Sequence, residues 1–208
     1  MSTRQLYDAW STSYDSVENK TRDMEKIACE MILSAIAFDS VVELGGGTGK
    51  NTSWLAERAK RVLSVDQSKE MQNIARQKVA LDNVAFRLSD INKPWDFVSG
   101  NVDLITSSLV LEHVEGLDFV FQQASQYLGP GAHFYICELH PFKQYTGSKA
   151  RFETSGSVAV LECFTHNVSD FIHLADDNNF DLVDLSEWFD DNDRTTVPRL
   201  ISFLFRRK

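Results

Sequence analysis

Cysteine, positive charge and long apolar runs are all scarce in this chain, and each scarcity excludes something. The three cysteines among 208 residues, Cys29, Cys137 and Cys163, are far apart and include no C-x-x-C pair, so neither a disulfide framework nor a zinc site is indicated. That usage suits a reducing compartment, and a cytoplasmic location is expected. No run of about 18 apolar residues occurs, and the opening MSTRQLYDAW lacks the apolar core of a signal peptide, so neither a membrane segment nor export by that route is expected. Lys and Arg number 21 against 30 Asp and Glu, giving a formal charge of −9. That balance speaks against a nucleic-acid partner, whose affinity would come from cations neutralising phosphates. The only basic run, Arg206 to Lys208, reads as a solvated end.

What is present is an alternation of apolar runs and helical patterns, the signature of βαβ units. Residues 40–44, 61–66, 84–90, 102–108 and 132–140 read as five strands, with helices between them and one more helix over 168–178. FDLVDLSEWF and RLISFLFRR read as two final strands. The expected fold is α/β: a doubly wound, mostly parallel seven-stranded sheet with helices on both faces, in a single domain covering 1–208. Ser68 is the expected N-cap of the helix after the second strand, and Asn179 the expected left-handed residue before the sixth.

The stretch VVELGGGTGK, Val41 to Lys50, places four glycines straight after a strand. As a phosphate-binding P-loop it fails twice, with Leu44 where the first glycine belongs and Asn51 in place of Ser or Thr. As a dinucleotide fingerprint it fails once, because Lys50 stands where a small residue is required. It does fit acid-x-G-x-G-x-G through Glu43, Gly45, Gly47 and Gly49. A carboxylate at the lip of the loop would repel a pyrophosphate and suit a cationic ligand. Glu43, Asp66 and Asp90 fall at or near three successive strand ends, where ligands bind in such sheets. Asp66 follows Gly45 by 21 residues, the spacing at which an acid reaches ribose hydroxyls.

On these residues the chain resembles the class I S-adenosylmethionine-dependent methyltransferases of small-molecule type. VVELGGGTGK is similar to their motif I, VLSVDQSKEM to motif II, FRLSDINKP to motif III and VDLITSSLVLEHV to motif IV. The resemblance implies S-adenosyl-L-methionine as cofactor, with Gly45, Gly47 and Gly49 under its methionyl and ribose parts and Asp66 and Gln67 at the ribose. It places Asp90 and Ile91 at the adenine, Ser107 and Leu109 along the sulfonium, and Glu43 and Tyr14 near the amino-acid end. Residues 1–30 would form a helical lid in which Tyr7 and Trp10 pack, 40–140 the cofactor core, 141–166 a substrate-side insertion, and 167–208 the last helix and strand pair. Phe142, Tyr145, Phe152 and Phe164 are candidates for an aromatic cover over a small acceptor.

Methyl transfer from a sulfonium is an in-line displacement, so alignment does most of the work and a base is needed only for a protonated nucleophile. The candidate bases are His113 and His140, with His140 preferred because Glu138 precedes it by two residues on the same strand face. No metal site is expected. The expected acceptor is an oxygen or nitrogen of a small metabolite; the [DNS]-P-P-[YFW] motif of DNA-amino methylating enzymes is missing after the fourth strand. The competing reading is a methyltransferase-fold protein that binds the cofactor and acts as a non-catalytic partner. The sequence leaves the oligomeric state open.

Overall fold

The structure, a computed structural model, describes residues 2–154 and 157–208, without the side chains of 151–159. Two helices open the chain, α1 (Thr3–Tyr14) and α2 (Lys20–Leu33). The first is started by a capping box between Ser2 and Gln5, the second by Asn19 accepting from the N–H groups of Thr21 and Arg22. Then come β1 (Ser40–Leu44), α3 (Lys50–Ala56), β2 (Arg61–Asp66), α4 (Lys69–Lys78), β3 (Val84–Leu88), β4 (Val102–Ser108), α5 (Asp118–Tyr127) and β5 (Leu128–Leu139). They are followed by α6 (Pro141–Tyr145), β6 (Arg151–Thr154), β7 (Ser157–Val160), α7 (Val168–Asp177), β8 (Phe180–Trp188) and β9 (Leu200–Arg207).

Seven strands form one sheet in the order β3-β2-β1-β4-β5-β9-β8, parallel except for β9, which is antiparallel to both neighbours. The fold is the doubly wound α/β sheet read from the sequence. β6 and β7 form a separate antiparallel ribbon inside a segment where the sequence showed no period. Period-two alternation sends neighbouring strand residues to opposite layers. Val42, Ile105 and Phe134 pack with Phe121 and Phe171 on one side, whereas Val41, Leu104 and Tyr135 pack with Ala28, Leu33 and Leu55 on the other.

The boundaries follow local chemistry. The hydroxyl of Ser68 accepts from Met71 N–H at 3.2 Å and starts α4. The Gly129–Gly131 segment, expected to lie between α5 and the fifth strand, is part of β5. Gly131 has φ +81°, and the register moves from Val102 opposite Leu128 to Leu104 opposite His133, so the glycines carry a bulge rather than a break. The expected N-terminal lid divides in two: α1 lies over the strand ends and packs through Trp10 on Met71, while α2 belongs to the sheet core through Ala28, Cys29 and Leu33. Among the described residues no helix is long and apolar enough to cross a membrane.

The chain leaves β1 toward β2 and β3, then returns to β4 on the other side, so the carboxyl ends of β1 and β4 diverge into a crevice. Asn179 ends α7 at φ +60°, a conformation that costs most side chains roughly 1–2 kcal/mol and that Asn tolerates. Asn179→Ala should therefore lower stability by about 1 kcal/mol in urea unfolding, while Asn179→Gly stays within about 0.5 kcal/mol of the parent.

Candidate active site

The turn from β1 into α3 is built by glycines in left-handed conformation. Gly45, Gly47 and Gly49 have φ of +69°, +55° and +82°. A Cβ on Gly45 would stand 2.1 Å from Val110 Cγ2, and one on Gly49 would stand 2.9 Å from Val79 Cγ2. Gly47 differs, since its nearest neighbour would be its own loop's Gly45 carbonyl at 4.0 Å. Its bare face is open, and what it faces is the crevice. Gly49 serves the fold instead: it is the N-cap of α3 and packs against Ala75 and Val79 of α4, away from the position under a ligand expected for it.

A cleft of about 90 Å³ runs over the ends of β1, β2 and β4. Gly45, Gly47, Asp66, Gln67, Asp90, Ile91, Leu109, His113 and Tyr14 all line it, so nine of the residues singled out in the sequence meet there. Asp66 accepts from Gly47 N–H at 2.8 Å and from Ser68 N–H at 2.7 Å, tying the glycine loop to the start of α4. Burial raises its pKa, and those backbone donors oppose the rise. Asp90 accepts from the backbone and side-chain N–H groups of Asn92 at 3.0 and 3.1 Å. Ser107 does not line the cleft. Strand alternation turns its hydroxyl into the interior, and Ser108 takes the place expected for it.

Glu43 sits beneath the loop rather than at its lip. It is 5% exposed, accepts from Thr52 and Ser64 hydroxyls, and lines a smaller space of about 60 Å³ with Glu25, Arg22 and the glycines. Burial lifts its pKa to about 7, against the pull of the two hydroxyls.

A wide cavity of about 880 Å³ adjoins the cleft, and Tyr7, Tyr14 and Leu109 line both. Leu109 has φ +56°, strained for a leucine, and is held by its N–H to Cys137 O at 2.8 Å. The aromatic cover is α1: Tyr7 and Trp10 stack at 5.9 Å, and Trp10 meets Tyr14 edge-on at 4.8 Å. Of the cover expected from the insertion, Phe142 and Tyr145 are 59% and 64% exposed and Phe164 is half-buried, and none of these three lines the cleft or the cavity; the Phe152 side chain is outside the described residues. Burial pushes the Tyr14 hydroxyl up to about 12, with the Arg22 guanidinium 4.2 Å over its ring acting the other way.

The two histidines separate. His113 Nδ1 lies 2.8 Å from Glu162 O, a pure acceptor, so Nδ1 carries the proton and Nε2 accepts from Tyr7 OH at 2.9 Å. His140, the preferred base, lines neither cleft nor cavity. It is 1% exposed, caps α6 by accepting Phe142 N–H at 3.2 Å, and places Nε2 3.1 Å from Glu187. Glu138 does not orient it. Its carboxylate accepts the N–H groups of Val110, Leu111 and Glu112 at 3.0, 2.9 and 3.4 Å, fixing the turn after β4. Burial, with Glu112 nearby, raises the Glu138 pKa to about 8. Glu112, His113 and Cys163 bring ligand-type atoms within 4.8 Å of one another.

Three contributors escaped the sequence reading. Tyr7 is more than lid packing, since it bonds His113 across the cleft. Met71 lines the cleft from α4, and Arg22 reaches the space beside the glycines. No local pattern marks Arg22, whereas Tyr7 and Tyr14 share the helical spacing of seven.

Fold and crevice together define a Rossmann-like class I methyltransferase architecture. Residues 42–136 match the methyltransferase domain family. Demethylmenaquinone methyltransferase of Tropheryma whipplei is 30% identical over 161 residues, covering 72% of this chain and 66% of that enzyme. Protein-L-isoaspartate O-methyltransferase of Pseudomonas aeruginosa is 32% identical over 91 residues, 42% of this chain and 43% of that one. The structure of N-methyltransferase NodS from Bradyrhizobium japonicum in complex with S-adenosyl-L-homocysteine superposes with a TM-score of 0.74 at 16% identity, covering 100% of this chain and 99% of that one. Residues 42–136 thus carry a methyltransferase domain, and the chain has the fold of the class I S-adenosylmethionine-dependent methyltransferases.

Folding lifts the Glu43 pKa from its ordinary 4.5 to about 7, so the native state keeps a proton that the unfolded chain releases. The associated stability is complete below about pH 4.5 and is lost as pH rises through about 7. Glu43→Gln should flatten this part of the curve, and the stability difference between variant and parent should shift in the variant's favour by up to about 3 kcal/mol between pH 4.5 and 7.5. Urea unfolding across that range measures it; parallel curves would show that Glu43 stays ionised.

Proposed function

We propose that this chain transfers a methyl group from S-adenosyl-L-methionine to an oxygen or nitrogen of a small molecule. The observation that carries the reading is the open face of Gly47 beside Asp66, at a switch point that leads past Leu109 into a wide cavity. The residues fit the cofactor. Asp66 is an acceptor for ribose hydroxyls, Asp90 and Ile91 suit a polar, flat base, and the acids Glu43 and Glu25 lie beside the glycines where an ammonium belongs. Arg22, held by the carbonyls of Tyr14 and Val17 with a buried Nε lacking a partner, is suited to the carboxylate of the same amino-acid end.

The cofactor supplies an electrophilic methyl on a sulfonium. The chain's part is to align it with the acceptor and exclude water: Leu109, Tyr7 and Tyr14 stand at the junction of the two spaces. α1 lies over the cleft through Tyr7 and Tyr14, so cofactor entry goes with a lifting of α1 and closure with its return. For a hydroxyl acceptor, His113 is the base, with Nε2 reached through or beside Tyr7 OH and Nδ1–H anchored on Glu162 O. The acidic surface and the cover of α1 favour a small acceptor over nucleic acid or protein. The free cysteines, two of them buried, suit a reducing cytoplasm.

S-Adenosylhomocysteine at 100 times its dissociation constant should stabilise the fold by about 2.7 kcal/mol, and NADH and ATP should not. Asp66→Ala should weaken its binding by about 1.5–3 kcal/mol in calorimetry. Gly47→Val should do at least as much, by filling the open face. Unchanged affinity in both variants would place the ligand elsewhere. Once an acceptor hydroxyl is found, His113→Ala should lower single-turnover kcat by about 10²-fold with cofactor binding intact, while His140→Gln, after any loss of stability is allowed for, should not.

A further inference from the structure

The wide cavity runs against the charge of the rest of the molecule. The chain is acidic by nine charges, yet Arg22, Lys149 and Arg199 all reach this one cavity. Among the described residues two acids share its wall, Glu18 and Glu112, and neither offsets the three in full. Glu18 is exposed to solvent. Glu112 is buried beside Cys163 and Gln144, and that burial raises its pKa, which weakens it as a counter-charge.

The cations are held differently. Arg199 is fixed: its Nε and Nη2 lie 2.5 and 2.6 Å from the two oxygens of Asp190, and Nη1 donates to Thr21 Oγ1 at 3.0 Å. Three of the five guanidinium N–H groups are thereby committed, and two stay free. Lys149 makes no hydrogen bond or ion pair among the described residues, so its ammonium is available. It follows Gly147, whose φ of +96° and open surroundings leave the backbone bare on the same wall. Tyr7, Trp10, Tyr14, Leu109 and Leu139 give the same cavity an apolar and aromatic surface, and Tyr7, Tyr14 and Leu109 continue it into the cleft.

We propose that the methyl acceptor is an anionic small molecule whose carboxylate or phosphate group is bound by Lys149 and Arg199, with its apolar body against Tyr7, Trp10 and Tyr14. This rests on the methyltransferase reading of the cleft and adds the acceptor's charge. Arg22 is left to the cofactor side, so the two sets of residues separate in experiment. With the anion on Lys149 and Arg199, the other end of the molecule is left for the junction, where Tyr7 and Leu109 line both spaces.

The test uses the full chain saturated with S-adenosylhomocysteine and three fluorine-labelled probes: 4-fluorobenzoate, 4-fluorophenyl phosphate and neutral 4-fluorobenzamide. Fluorine NMR titration should show at least one acid binding about tenfold more tightly than the amide, and the stronger acid identifies carboxylate or phosphate. Lys149→Gln should reduce that preference about three- to tenfold and Lys149→Glu should abolish it, both with an unchanged S-adenosylhomocysteine melting shift. Lys149 is exposed, so neither variant threatens the fold. Equal binding of acids and amide, no binding of either acid, or a preference untouched by Lys149→Glu would each overturn the proposal while a normal melting shift leaves the cofactor reading standing. Absence of that shift in the parent protein would remove the cofactor reading and this proposal with it.

Discussion

The carboxylate of Glu138, laid across the backbone N–H groups of Val110, Leu111 and Glu112, is the contact on which the site depends. It joins the end of β5 to the turn that leaves β4, and so decides where that turn goes. Val110, held there, occupies the space that a side chain at position 45 would need. Gly45 is thus a packing requirement before it is a ligand requirement. The same turn holds Leu109 at positive φ and carries His113 to Tyr7. Strain of this kind persists only where the surroundings over-determine it, and here three N–H bonds and the Leu109 N–H to Cys137 O do so.

Buried acids give the crevice its electrostatic character. Glu43, Asp66, Glu112 and Glu138 all have carboxyl groups whose pKa burial raises. Each is satisfied by hydroxyl, backbone or amide donors instead of by a full ion pair. Such groups gain from a cation placed beside them, since opposite charge offsets the desolvation that folding imposed. The wide cavity differs, with Arg22, Lys149 and Arg199 in its lining.

α1 links these spaces. Tyr7, Trp10 and Tyr14 form one aromatic face; Trp10 anchors it on Met71, and the two tyrosines project where cleft and cavity meet. Its polar ties include Tyr7 to His113 at 2.9 Å and Asp8 to Ser68 at 2.6 Å, and beyond its end Asp15 reaches Thr48 at 2.8 Å and Lys78 at 2.7 Å. Of α1 only Trp10 and Ser11 are fully buried, whereas α2 is packed into the sheet core through Ala28, Cys29 and Leu33.

The glycine spacing, the acids at strand ends and the alternation of periods are local properties, and they determined the sheet, its parallel core and most of the cleft. Each depends on a few consecutive residues: the loop turns on three glycines at positive φ, and Asp66 reaches it because β2 ends there. What the sequence could not decide is which of two chemically equal neighbours meets the ligand and which partner a side chain finds across the fold. Ser107 and Ser108 are alike in sequence and differ by one step of the pleat. His140 faces Glu187 from β8, 47 residues away, and Glu138 turns back to the β4 turn, so their nearness along one strand said nothing about contact. Tyr7 meets His113 across 106 residues only because α1 folds over the strand ends. Those pairings follow from tertiary packing, in which a side chain's partner is set by the arrangement of whole elements and not by its position in the chain.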